Sequence, residues 1–226
     1  VINNIEKTQD LTISGTATGL ATGALVTVML NGKAYSATVD ANGQWTTTVP
    51  ADQVGALGEA LYDISASATD SVGNSSSTSH TVNVESVLPG VIINTIAGDD
   101  VVNAAEVATG QTISGSVVNA EAGNTVTVTI GGNTYTATVQ DDLSWSVNVP
   151  EAVLTALGNG ELTVEATVTN GVGNTGSGER DIVIDASLPG LRVDTVAGDD
   201  VINSIEHVQN LIITGSSDGL SAGTLL

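Results

Sequence analysis

The sequence predicts an all-β protein of tandem two-sheet sandwiches, about seven strands per repeat of roughly one hundred residues. Three observations carry this. Apolar residues alternate with Thr and Ser over short runs, as in TVTVTI at 125–130, which is the period of a half-buried strand. The chain aligns with itself at an offset of one hundred residues without a gap. The apolar residues are Val, Ile, Leu and Ala, with no Phe and no Cys among the 226 residues, a mixture that favours strands and turns.

Within the repeat that starts near Leu88, each element follows from this period. GVIINTIA at 90–97 and QTISGSVV at 111–118 read as the first two strands. TVTVTI is then broken by GGN and resumes as TYTATV at 134–139, the pattern of a hairpin. The turn QDDLS leads into WSVNVP at 145–150. PEAVLTALG at 150–158 is the one helix-like stretch, long enough for one or two turns. ELTVEATVT at 161–169 and RDIVID at 180–185 complete the set.

Seven short alternating strands in this length fit an immunoglobulin-like sandwich. Without a cysteine pair to bridge the sheets, its core rests on aliphatic packing. Trp45 and Trp145 stand at equivalent strand starts and are expected in that packing. The repeat also returns LTISG at 11–15 as QTISG at 111–115 and LIITG at 211–215, VGN at 72–74 as 172–174, and LPG at 88–90 as 188–190. The Pro-Gly breaks set the expected boundaries: 1–87, a domain lacking its first strand; 88–187, a complete domain; and 188–226, the opening part of a third.

Charge excludes several functions. Twenty-five Asp and Glu face four Lys and Arg, a formal net charge of -21. Nucleic acid and anionic membrane surfaces both need basic residues to neutralise their phosphates, so neither is expected as a partner. No apolar stretch of about 18 residues suggests a membrane span. His80 and His207 occupy unrelated repeat positions, so no Ser-His-Asp constellation recurs. Asp141 and Asp142 form an acid pair in a turn, but the corresponding turn, DANGQ, keeps none, and no enzyme is expected.

The acids that do recur lie in AGDDVVNAAE at 97–106 and AGDDVINSIE at 197–206. In a sandwich this segment joins the first two strands at the end where the chain leaves the domain. Asp99, Asp100 and Glu106 are therefore expected to converge there with Asp185, at the linker to the next domain. Gathered carboxylates repel one another unless a cation or protons intervene. Calcium takes about six to eight oxygen ligands of this kind, whereas transition metals prefer His or Cys. The same expectation covers Asp199, Asp200 and Glu206, and Glu85 replaces Asp185 in the first repeat. Asn103 and Asn203 are expected to bond local backbone rather than metal.

AGDDVINSIE, DSVGN and the LPG linker resemble the bacterial Ig-like repeats of giant, non-fimbrial adhesins and biofilm-associated proteins of Gram-negative bacteria. The resemblance covers essentially the whole chain. It implies an extracellular stalk segment secreted by a type I system, with calcium at domain junctions, neighbouring repeats as immediate partners, and a host-cell surface or biofilm matrix reached through the parent protein. Two departures matter: Glu6 has no preceding Asp pair, and Asn170 stands where the first repeat has Asp70. The alternative is an Ig-like array that itself binds a host glycan or protein. The 2% aromatic content argues against sugar platforms, and the segments TATGLATGA and SVVNAEAGN are where such binding is expected.

Overall fold

A computed structural model describes residues 1–225. Leu226, the last residue of the expected third domain, lies outside the described residues. The first repeat contains β1 (Leu11–Thr16), β2 (Leu25–Leu30), β3 (Lys33–Thr38), β4 (Gln44–Val49), the short helix α1 (Ala51–Gly55), β5 (Leu61–Thr69) and β6 (Ser75–Asn83). The second contains β7 (Gly90–Ile93), β8 (Val101–Asn103), α2 (Ala104–Thr109), β9 (Gln111–Val118), β10 (Thr125–Ile130), β11 (Asn133–Thr138), β12 (Ser144–Val149), α3 (Glu151–Leu157), β13 (Gly160–Thr169) and β14 (Thr175–Asp185). β15 (Gly190–Val193) and β16 (Gly215–Asp218) follow.

The first repeat pairs β1 with β4 in one sheet and orders β3-β2-β5-β6 in the other. The second has β12-β9-β7 and β11-β10-β13-β14-β8, and β15 pairs with β16. These are tandem immunoglobulin-like sandwiches, as the strand periodicity predicts. Two compact units divide the chain: residues 1–94, 114–147 and 165–179 form one, and residues 95–113, 148–164 and 180 onward form the other. β9, β12, β13 and β14 each have residues in both.

In the first unit, alternation puts Val26, Val28 and Leu30 of β2 inside with Trp45 and Val49 of β4. Val54 and Leu57 close the bottom of this core with Ile2 and Val84. Burying each such side chain stabilises by about 1.5–3 kcal/mol before the entropy of ordering is counted. The β2-β3 hairpin turns at Asn31–Gly32 and the β10-β11 hairpin at Gly131–Gly132, all four residues having positive φ. That is the two-residue turn whose twist matches the strands. In the second unit Ile96, Val102, Val107, Ile113, Leu154, Ile182 and Ile184 are buried.

Three elements differ from the sequence expectation. The first strand of the second repeat ends at Ile93, and the chain re-enters the other sheet as β8, parallel to β14 with Val102 opposite Ile184. The connection between the first two strands, expected as a loop through GDDVVNAAE, contains the helix α2. β14 begins at Thr175, five residues earlier than RDIVID implies. Its early half contains Gly176 and Gly178, where the backbone approaches its neighbour: a Cβ at Gly176 would overlap the Pro89 carbonyl oxygen, and one at Gly178 that of Val91.

Candidate functional site

The recurring acids first build local structure. In AGDD, Asp99 accepts a hydrogen bond from the Val101 amide at 3.1 Å. Asp100 accepts from the Ile96 amide at 3.0 Å, while its own amide donates to the Ile96 carbonyl at 2.8 Å. Asp100 sits at φ 66°, a left-handed backbone that Asp tolerates better than most residues. The later copy repeats every bond: Asp199 with Val201 at 3.0 Å, and Asp200 with Val196 at 2.9 Å through its side chain and 2.8 Å through its backbone. The Asp pair therefore closes a tight turn.

Asp100 has a further partner in the second unit. Arg180 Nε donates to Oδ1 at 2.6 Å and Nη2 to Oδ2 at 2.5 Å, and the same Nη2 reaches Thr95 at 3.0 Å. These bonds from Arg180, reinforced by the backbone at Ile96, hold the Asp100 carboxyl below the usual carboxylate range. The same pairing raises Arg180.

The Asn-x-x-Glu part is a reciprocal cap. Asn103 Oδ1 accepts from the amides of Ala105 and Glu106, and Glu106 Oε2 accepts from the Asn103 amide at 2.9 Å. This capping box satisfies orphan donors at the start of α2. Asn3 with Glu6, at 2.8 Å, and Asn203 with Glu206, at 2.9 Å, repeat it around single 3-10 turns. The structural role expected of Asn103 and Asn203 is what these bonds show.

The exit end of the second repeat gathers some expected residues and separates others. Asp185 is opposite Asn103 in the parallel register of β14 and β8, so it flanks the residue that Glu106 caps. It accepts from the Ser187 amide at 3.1 Å, and Asn159 braces the same linker through the Ala186 amide and the Ser187 hydroxyl. Asp99 and Asp100 do not join them. They line a groove with Glu161, Thr163 and Asp181 beside the middle of β14. Glu85 takes a hydrogen bond from Asn83, and the first linker is braced by Glu59, which accepts from the Ser86 amide at 3.0 Å. Among the described residues, no three His, Cys, Asp or Glu side chains are grouped to hold a metal ion. The convergence of all four acids is thus not what the structure shows, because turn closure and Arg180 draw the Asp pair away.

The first unit contains a joint that the sequence did not reveal. Asn174, 1% exposed, donates through Nδ2 to the carbonyls of Glu85 at 2.8 Å and Val87 at 3.3 Å. Its Oδ1 accepts from the Asn4 amide at 2.7 Å, and Asn3 Nδ2 donates to the Val172 carbonyl at 3.0 Å. The only trace of this in the sequence is the recurring VGN, whose burial depends on what the loop meets.

Sandwich architecture, tandem recurrence and capped exit ends define a class, the tandem Ig-like array. Residues 2–86 match the bacterial Ig-like domain family. No curated protein matches the chain. A solved chain of a Ca2+-stabilized adhesin that helps an Antarctic bacterium reach out and bind ice is 32% identical, with a TM-score of 0.57, over 96% of this chain and 55% of the solved one. A solved segment of a 1.5-MDa bacterial ice-binding adhesin, studied for its retention at the host cell surface, is 31% identical, with a TM-score of 0.54, over 96% of this chain and 72% of the solved segment. The chain belongs to the bacterial Ig-like domains that form the repeats of large adhesins. Ig-like repeat families of adhesins are typically structural. Among the described residues, no helix is long and apolar enough to cross a membrane.

Proposed function

We propose that the chain is a stalk segment of a large repetitive adhesin displayed outside a bacterial cell, spacing a binding region from the surface. The observation that carries this is similarity along nearly the whole chain to the repeats of two such adhesins. Its domains run over 1–87, 88–187 and 188–226, and its immediate partners are neighbouring repeats of the same chain. Contact with a host surface or biofilm matrix belongs to the parent protein.

Calcium at the exit ends is part of the proposal, supported by the Ca2+-stabilized relative and by donors that are all oxygen. Glu106 and Asp185 suit it best, since both flank Asn103. Asp99, Asp100, Asp199 and Asp200 suit it less, because each accepts a turn-closing amide and Asp100 is paired with Arg180. A bound ion would draw these carboxylates together and lower the bending freedom of the linker. Calorimetric titration with calcium, beside thermal unfolding, tests this. Heat of binding and a raised midpoint are expected; neither appearing would remove calcium from the proposal.

A further inference from the structure

We infer that Asn174 is the residue through which an ion at the exit end of the first repeat fixes the joint with the second, which rests on the calcium binding proposed above. Two segments lie side by side at that exit end. The Ile2 amide donates to the Asn83 carbonyl at 2.7 Å, and the Ile2 carbonyl accepts from the Glu85 amide at 3.0 Å, with Ile2 and Val84 in parallel register. Each segment carries a carboxylate. Glu6 Oε2 accepts from the Asn3 amide at 2.8 Å, and Glu85 Oε1 accepts from the Asn83 side chain. Glu6 and Glu85 hold the repeat positions of Glu106 and Asp185, the pair that suits calcium best in the second repeat. A carboxylate accepts with both oxygens, so one oxygen of each remains for a cation.

Asn174 straddles the same two segments and is 1% exposed. Its Nδ2 donates to the carbonyls of Glu85 at 2.8 Å and Val87 at 3.3 Å on one segment, and its Oδ1 accepts from the Asn4 amide at 2.7 Å on the other. Asn3, whose amide Glu6 holds, donates through Nδ2 to the Val172 carbonyl at 3.0 Å. One planar amide meets three partners on two segments only while those segments keep one spacing. A slip between them leaves a buried donor or acceptor unpaired, which is costly away from water. An ion shared by Glu6 and Glu85 ties the segments at that spacing, so all the Asn174 bonds form together and the second repeat is held. The coupling is reciprocal: docked Asn174 keeps the two carboxylates ready for the ion and strengthens its binding by the same factor.

Spin labels and calorimetry test this on the whole chain, which has no cysteine of its own. Ser36→Cys and Thr136→Cys place labels at exposed positions on β3 and β11. The distance distribution between them is expected to be broad in chelator and narrow in calcium. The heat belonging to this joint is the part that the double change Glu6→Gln and Glu85→Gln removes. Asn174→Ala is expected to keep that heat with an affinity lowered roughly five-fold or more, yet to stay broad in both conditions. Asn174→Asp retains the acceptor for the Asn4 amide and loses both donors; it is expected to behave like the alanine variant, and it keeps the test open where that variant unfolds. A parent distribution whose width calcium leaves unchanged would overturn the inference. Narrowing that survives the Asn174 changes, or an affinity they leave unaltered, would do the same, and complete loss of the heat would place Asn174 in the ion site itself and overturn its role as a positioning residue. A double change that removes no heat would instead take calcium away from this joint, and the inference with it.

Discussion

Arg180 holds both carboxylate oxygens of Asp100 from β14, at 2.6 and 2.5 Å, and so ties the AGDD turn to the neighbouring strand. Because folding lowers the Asp100 pKa, the stabilisation from this pair is present above the ordinary carboxylate range and is lost as pH falls through the lowered value. Arg180→Gln should therefore melt earlier than the parent at neutral pH, and the two curves should converge in strong acid. A difference in midpoint that stays constant down to the lowest pH would show that Arg180 acts by packing alone.

That pair also explains what the sequence could and could not tell. The strands of both repeats, the hairpins and the linkers were legible because alternation and Pro-Gly breaks are local signals. β8 and α2 were not, since a three-residue strand and a six-residue helix leave no period to read. Yet Asn103 and Glu106, three apart before an Ala-rich run, carry the capping signature. The acids were legible as a repeated cluster, but their destinations were not. Arg180 is eighty residues away from Asp100 in sequence, and in the first repeat the same position is His80.

Removing the cap should be felt locally. Asn103→Ala leaves the amides of Ala105 and Glu106 without their acceptor and should cost about 1 kcal/mol. Urea unfolding gives the value directly, with Asn103→Asp expected to recover most of it. An unchanged midpoint for the alanine variant would mean that α2 is held by tertiary packing.

The calcium binding proposed for the exit end of the second repeat should depend on Glu106 and Asp185 together. The double change Glu106→Gln and Asp185→Asn should abolish the calorimetric signal assigned to that end, whereas Asp99→Asn should weaken it less. Equal loss from Asp99→Asn would indicate that the turn opens to deliver its carboxylate.

Close backbone approach makes Gly176 and Gly115 sensitive positions. A Cβ at Gly176 would overlap the Pro89 carbonyl, and one at Gly115 would meet the Ile92 carbonyl and the Trp145 ring. Either change to alanine should destabilise by about 1–3 kcal/mol or more, as overpacking does. Near-ultraviolet circular dichroism separates them, since Gly115→Ala should also alter the environment of Trp145.

The parallel pairing of β8 with β14 has a mechanical consequence. The chain reaches β8 from its N-terminal side and leaves β14 at its C-terminal end, with Val101, Val102 and Asn103 opposite Val183, Ile184 and Asp185. Tension along a polypeptide pulls these two strands in opposite directions along their own length. Their hydrogen bonds are then loaded in shear, all at once, instead of being peeled one by one. In the first repeat the bridge between Ile2 and Val84 has the same parallel sense, so each sandwich meets a pulling force with its bonds abreast.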